Sequence, residues 1–447
     1  MGHATVRNPL SARTLDREIA RLAVPALGAL IAEPLFLLTD TALVGHLGAA
    51  PLAGLGIASV ILQTALGLLI FLAYATTPAV ARMLGAGDRQ GALRAGIDGL
   101  WFALLVGVVL LVTGLVTARP LVHAFDTSPA AASAAITYLT ISVFGLPAML
   151  LVIAATGLLR GLQDTRTPLV VATVGFATNA GLNALFIYGF GWGIAGSAAG
   201  TVVAQWGMAA VYVVIAVRAA RQAGAALRPG LAGVGRTASS GAWLLIRNAC
   251  LRGAMLATVS AAATLGVTGL AGVQIALTLF STLAFALDAL AIAGQAMVGH
   301  ALGAGDATRV RDVTRRLLIW GVLGGAALGI LLAAASGVIA PVFTSDPGVR
   351  ALVQPLLLTM ALGIPVASFV FVLDGVLLGA GDARYLALTG LINVAVYLPL
   401  LALSLTAHGR GAAVALWFAF GLGYIGARAV TLGLRAFGSR WIVTGAA

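Results

Sequence analysis

The chain has 447 residues, of which 60% are hydrophobic and only 9% are charged, against about 25% charged residues in a soluble domain. Its mean hydropathy of +1.05 excludes an ordinary soluble globular protein. Apolar runs of roughly 18 residues or more recur along the chain, and such runs are typical of membrane-spanning helices. The single cysteine, Cys250, excludes an intrachain disulfide.

The apolar runs predict an all-α polytopic membrane protein with twelve transmembrane helices. A helix of ~20 residues crosses the ~30 Å hydrocarbon core of a bilayer, and the runs are long enough. In chain order the predicted spans are 20–44, 52–76, 95–117, 133–158, 168–190, 194–217, 243–267, 271–297, 315–339, 350–376, 385–406 and 411–434.

All basic residues are arginines, and their distribution predicts the orientation of the chain. With the N-terminus inside, the cytoplasmic ends and loops collect 23 arginines, whereas only Arg119, Arg350 and Arg410 fall outside. Cytoplasmic loops carry such an excess of positive charge. We therefore expect a multi-pass protein of the cell (inner) membrane with both termini cytoplasmic, and no nucleic-acid partner.

A five-letter motif, LGAGD, occurs at 84–88, 302–306 and 378–382, with a looser copy at 161–164. The first two copies are separated by an offset of 218 in the numbering, and the same offset separates Asp164 from Asp382. This constant offset predicts a parallel internal repeat of two six-helix bundles, and parallel repeats are related by an axis along the membrane normal. The predicted boundaries are an N-terminal lobe at 1–217, a cytoplasmic linker at 218–241 and a C-terminal lobe at 242–447.

Each copy of LGAGD falls where a span ends, which favours a helix stop. Glycine closes helices in the left-handed conformation, and aspartate caps the next helix. Two alternatives have a similar motif. An intramembrane aspartyl protease needs two facing buried acids, whereas these acids lie at loop edges among arginines. The major facilitator superfamily has a comparable loop motif, which is one residue longer than the segment at 85–91.

The segment PLFLLTDTALVGHLG at 34–48 resembles the first helix of multidrug and toxic compound extrusion (MATE) transporters in their DinF-like branch. The LGAGD copies and LRGLQDTR at 159–166 resemble loop motifs of that family, and the resemblance extends from about 18 to 434. It implies a secondary active efflux transporter, not an enzyme. Such a transporter exports organic, often cationic or amphipathic, compounds in exchange for H⁺ or Na⁺ and needs no other cofactor.

Asp40 is the strongest candidate for cation or proton coupling. A charge within the hydrocarbon costs ~2.5–3.5 kcal/mol on insertion scales, so it requires a function or a partner. Asn179 and Asn183 share one face of span 5, and Thr201 of span 6 lies at a similar depth. The family's functional carboxylate matches Asp40 and its partners match these three residues. A carboxyl group without a basic partner takes up a proton readily, although the same oxygens suit Na⁺; the alternative is a hydrogen-bonded structural acid.

Glu33 lies two turns before Asp40 on nearly the same face, where it suits either a proton relay or a bond to a neighbouring helix. Pro25 and Pro34 each remove a backbone hydrogen bond from span 1 and favour a bend there. In the second lobe, matching depths predict that Asp288 pairs with Arg252 and that Asp374 pairs with Arg247. A role of these acids in coupling is the alternative.

The sequence thus predicts a cation-coupled exporter of small molecules, in contact with membrane lipid and monomeric. One alternative is a lipid-linked precursor flippase of the same wider superfamily, which often has extra spans and a cationic central cavity. The other is a membrane-embedded enzyme. No Walker A sequence and no cluster of metal-binding side chains occurs, so neither ATP hydrolysis nor a metal enzyme is expected.

Overall fold

The structure is a computed structural model, which describes residues 12–407 and 410–445 apart from the side chains of Glu33, Leu231 and Arg410. Long helices make up nearly all of this part of the chain, and it contains no β-strand. In chain order the helices are α1 Ala12–Gly45, α2 Ala49–Gly85, α3 Arg89–His123, α4 Pro129–Gly161, α5 Arg166–Gly189, α6 Gly193–Gln222, α7 Leu231–Ala263, α8 Gly266–Gly303, α9 Ala307–Phe343, α10 Pro347–Gly379, α11 Ala383–Ser404 and α12 Gly411–Ala436.

Eleven of these helices are long and apolar enough to cross a membrane by length and composition. The exception within the described residues is α7, the seventh predicted span, which carries Arg236, Arg247 and Arg252. Arg247 is only 7% exposed, so this charge faces other helices and not lipid, as intramembrane charges do. Most helices extend beyond the predicted spans because the loops between them are short.

The two lobes repeat the same helix contacts at the predicted offset. Adding 218 to the bounds of α1 gives 230–263, which is the position of α7 within one residue. In the first lobe α4 packs on α2 and α3, while α5 packs on α1 and α6; α10 and α11 make the corresponding contacts in the second. Helix α6 ends at Gln222 and α7 begins at Leu231. Both helix ends lie inside the linker predicted at 218–241, and the boundaries of that linker stay a prediction.

The LGAGD segments form the turns that end α2, α8 and α10. Gly87, Gly305 and Gly381 have φ angles of 81°, 75° and 72°, the left-handed conformation that closes a helix. Asp88 and Asp306 then accept the backbone N–H groups of residues three positions later, at 2.7 and 2.8 Å. This geometry is that of a helix stop followed by an N-cap.

The first glycine of the motif, at Gly85 and Gly303, allows the ends of α2 and α8 to approach each other closely. A Cβ atom on Gly85 would overlap the carbonyl oxygen of His300, and one on Gly303 would overlap the carbonyl oxygen of Arg82. Arg82 and His300 are themselves related by the repeat offset of 218. The ends of α2 and α8 therefore cross at repeat-related positions, around a pseudo-two-fold axis between the lobes.

Further contacts between the lobes lie at the same end of the bundle. Glu18 of α1 pairs with Arg309 of α9 at 2.9 Å, and Asp16 pairs with Arg316. The Arg82 guanidinium donates to the carbonyl oxygen of Ala380 at 2.7 Å. The lobes are thus held together on the side of the LGAGD turns.

Candidate coupling site in the first lobe

Asp40 lies inside the first lobe, five residues before α1 ends at Gly45, which is about 8 Å along the helix axis. It is 4% exposed. Oδ1 accepts hydrogen bonds from Ser197 Oγ at 2.6 Å and Asn183 Nδ2 at 2.9 Å, and Oδ2 accepts one from the Tyr138 hydroxyl at 3.2 Å. Among the described residues no basic side chain pairs with this carboxylate.

The predicted partners of Asp40 meet as a polar cluster between α5 and α6. Asn183 Nδ2 contacts Asn179 Oδ1 at 3.2 Å, and Asn179 Nδ2 donates to Thr201 Oγ1 at 3.0 Å. The two asparagines lie on one helical face because they are four residues apart. The structure therefore brings Asp40, Asn179, Asn183 and Thr201 together at one depth.

Two further partners of Asp40, Tyr138 and Ser197, were missed by the sequence analysis. Ser197 precedes Thr201 by four residues on α6, so its position on the same face was a usable signal. Tyr138 comes from the first part of α4, a segment without a charged residue that could have indicated a functional site. Only the packing of α4 against α2 and α6 places its hydroxyl beside Asp40.

A cavity of about 740 Å³, including its open mouth, borders the cluster. Its walls are mainly apolar and aromatic, with Phe36 stacked on Phe176 at a centroid distance of 5.2 Å. Among the described residues that line it, Asp40 provides the only carboxylate, and Gln63 and Gln205 provide neutral polar groups. Apolar pockets with a few placed polar groups are typical of small-molecule sites.

The other predicted elements of α1 have a mixed outcome. Pro25 and Pro34 lie within the helix, which continues through both of them. The side chain of Glu33 lies outside the described residues, so its predicted relay role stays a prediction.

The repeat-related positions in the second lobe do not form an equivalent of this site. Adding 218 to Asp40 gives Thr258, and adding 218 to Asn179 gives Tyr397. The Thr258 and Tyr397 hydroxyls share a hydrogen bond of 2.6 Å, next to the aromatic rings of Phe420 and Tyr424. The repeat therefore preserves the backbone arrangement but not the carboxylate.

The second-lobe acids lie in a separate arrangement. Asp374 forms a buried ion pair with Arg247, as its depth suggested, and also lies 3.3 Å from a guanidinium nitrogen of Arg428. Arg428 was not predicted as a partner of Asp374, because it is one of the 23 arginines counted above as cytoplasmic.

The predicted pairing of Asp288 with Arg252 is wrong for this structure. Arg252 lies against Gly67 of α2. The charges that act on Asp288 are those of Arg160 and Arg247, and Tyr74 lies beside it. The two side chains share a depth but project from different faces, and depth alone does not determine the direction of a side chain.

The family model MatE matches residues 25–185 and 244–403, one segment in each lobe. Protein DETOXIFICATION 43 of Arabidopsis thaliana is 29% identical over 95% of this chain and 91% of its own. DNA damage-inducible protein F of Escherichia coli is 27% identical over 82% of this chain and 81% of its own.

A solved structure described as the Vibrio cholerae MATE transporter VcmN in the bent form superposes with a TM-score of 0.88. It covers 98% of this chain and 100% of its own at 18% identity, and so supports the fold. Members of the MatE family are transporters, not enzymes, and they need no cofactor. The chain belongs to this family and is a multi-pass secondary active efflux transporter of small molecules.

Proposed function

We propose that this transporter exports organic cations or amphipathic compounds in exchange for H⁺ or Na⁺ bound at Asp40. One observation carries the proposal. Asp40 is a buried carboxylate with only neutral hydrogen-bond partners among the described residues, and it borders the first-lobe cavity. A charge held in this way favours occupation by a cation of either kind.

The hydrogen bonds of Asp40 support a change in the site when the coupling ion binds. Protonation turns one carboxylate oxygen into a donor that needs an acceptor of its own, and it weakens the hydrogen bonds that Asp40 accepts from Ser197, Asn183 and Tyr138. Asn183 Oδ1 is buried without a hydrogen-bond partner in the described structure. This oxygen suits a bound Na⁺. It would meet the proton of a neutral Asp40 after rotation of the amide, because Nδ2 now faces the carboxylate.

We propose that occupation of Asp40 also changes the bend of α1. Pro25 and Pro34 each remove a backbone hydrogen bond from this helix. A ligand shifts a conformational equilibrium only through its difference in affinity between the states, and rearranged bonds at Asp40 would supply that difference. Structures at low and high pH with an unchanged α1 would contradict this step.

The coupling ion is tested by export of ethidium in proteoliposomes under separate proton and sodium gradients. Asp40→Asn is expected to abolish gradient-driven export, since the amide binds neither ion as a carboxylate does. Asp98→Asn is the matched control, because Asp98 is also 4% exposed and accepts, among the described residues, only the Gly230 N–H at the end with the LGAGD turns. Full gradient-driven export by Asp40→Asn would refute the proposal.

We further propose an inner-membrane location with both termini cytoplasmic, a monomeric state and direct contact with lipid. The orientation is supported by the excess of arginines at the helix ends and turns on the side of the LGAGD motifs, against Arg119, Arg350 and Arg410 on the other side. Protease accessibility of terminal tags in inverted vesicles tests it, and light scattering of the purified protein tests the monomer.

A further inference from the structure

A separate cavity, of about 570 Å³ including its open mouth, lies in the second lobe between α8, α10 and α12. This volume is within the range of ligand pockets, ~300–1,000 Å³. Three buried aromatic side chains, Phe280, Trp417 and Phe420, form its inner wall. The Phe280 ring meets the rings of Trp417 and Phe420 edge to face, at centroid distances of 6.3 and 5.5 Å. Within the described residues no charged side chain lines this cavity.

Two glycines border the cavity and leave part of its wall open. A Cβ atom on Gly363 of α10 or on Gly421 of α12 would meet no atom within 4 Å. The first-lobe counterpart of Gly363 is Gly145, where a Cβ atom would overlap the side chain of Gln205. The three rings likewise replace aliphatic residues at the repeat-related positions of the first lobe, which are Leu62, Ala199 and Val202. The open aromatic cavity is therefore particular to the second lobe.

Helix α12 changes its winding beside the cavity. Its segment Ala419–Ile425 is π-helical, whereas the repeat-related residues of α6 continue as α-helix. Single π-helical turns inside α-helices occur frequently at functional sites. This segment contributes Phe420, Gly421 and Leu422 to the cavity wall, so the wall depends on a local departure from the repeat.

The mouth of the cavity opens toward lipid. Its closed end is at Phe280 of α8, the helix that packs on α1 and α2 of the first lobe. The mouth lies on the opposite side, between α10 and α12, where Leu362 and Leu422 are 77% and 67% exposed. Along α12 the lining extends from Trp417 to Ile425, ~9 to ~21 Å from the start of the helix. These depths lie within the hydrocarbon of a ~30 Å core, in the half away from the LGAGD turns.

The cavity contains one hydrogen-bond donor without a partner. Among the described lining residues only Thr359 and Trp417 have a side-chain O–H or N–H group. The Thr359 hydroxyl donates to the Pro355 carbonyl oxygen at 2.9 Å, whereas the Trp417 indole N–H donates to no described residue. A buried donor without a partner costs ~1–3 kcal/mol. The cavity therefore favours a largely apolar ligand that carries an acceptor oxygen.

We propose that this cavity binds an acyl chain of a membrane phospholipid. Uncharged walls and a mouth within the hydrocarbon suit a chain that is already dissolved in the bilayer. The ester oxygen at the head of such a chain supplies an acceptor for the Trp417 N–H. The site is separate from Asp40 and its occupation requires no ion gradient, so its failure and that of the proposed coupling are distinguishable.

Photolabelling of the purified full-length protein tests the site, with a phosphatidylcholine that carries a diazirine in its acyl chain. Peptide mass spectrometry should find the label on Met360 and Trp417, which line the cavity but are only 2% and 3% exposed. Unlabelled phosphatidylcholine should compete for these positions with saturation. Lipid that only coats the outer surface would label exposed residues such as Leu362 and spare both buried ones, and this outcome would overturn the proposal.

Gly363→Leu is the decisive variant, because its side chain enters the open space of the cavity without a clash at Cβ. Labelling of Trp417 should fall at least fivefold. Gly324→Leu is the matched control, since a Cβ there also meets no atom within 4 Å but the residue lies on α9, outside the cavity lining; it should be labelled like the natural chain. Equal labelling of Trp417 in Gly363→Leu and the natural chain would overturn the assignment. Displacement of the label by ethidium would also overturn it, because it would assign the cavity to an exported compound.

Discussion

The crossing of α2 and α8 predicts that a single added methyl group changes the balance between transporter conformations. In Gly303→Ala the new Cβ would overlap the Arg82 carbonyl oxygen. The clashing atom belongs to the backbone and cannot rotate away, so the helices must separate. Overpacking of this kind costs ~1–3 kcal/mol, which corresponds to a roughly 5- to 150-fold change in an equilibrium constant.

The expected shift is away from the arrangement in which the lobes touch at the LGAGD turns. It can be measured by the rate of cross-linking between Glu18→Cys and Arg309→Cys, a pair that joins the lobes at this end. Cys250→Ser removes the natural thiol from the background. Gly303→Ala should slow cross-linking by about 5-fold or more, and Gly85→Ala should have a similar effect because it occupies the repeat-related position.

Gly324→Ala is the matched control, since a Cβ there meets no atom within 4 Å. It should cross-link at the rate of the parent. If folded Gly303→Ala and Gly85→Ala also cross-link at the parental rate, the close crossing does not hold the lobes together and the reasoning is wrong.

Three further predictions concern charges and caps. Asp374→Asn should lower the free energy of unfolding by about 3–5 kcal/mol, because it leaves two buried arginines without their carboxylate; thermal unfolding in detergent measures this, and an unchanged midpoint would contradict it. Adding Thr258→Asp to Asp40→Asn should not restore gradient-driven export, because the second-lobe position lacks the amide partners; restored export would show that the lobes are interchangeable. Asp306→Ala should cost about 1 kcal/mol through loss of the α9 N-cap, and an unshifted unfolding curve would count against that bond.

The sequence predicted the repeat well because a constant offset in the numbering is independent of side-chain packing. It also predicted that Asn179 and Asn183 share a face, since helical spacing determines which side chains neighbour each other. The role of Tyr138 could not be predicted from the sequence, because its contact with Asp40 joins two helices that are far apart in the chain. The incorrect pairing of Arg252 with Asp288 has a related cause: hydropathy gives depth, whereas rotation about each helix axis depends on tertiary packing.

The crossing at Gly85 and Gly303 has a consequence for the origin of the molecule. Each helix end offers a glycine to the carbonyl of its counterpart, so the contact surface is complementary to itself. Self-complementary surfaces are those by which identical subunits form two-fold dimers. This surface therefore suits an ancestral six-helix chain that assembled as a homodimer before duplication and fusion. After fusion, each half was free to lose or gain charges independently.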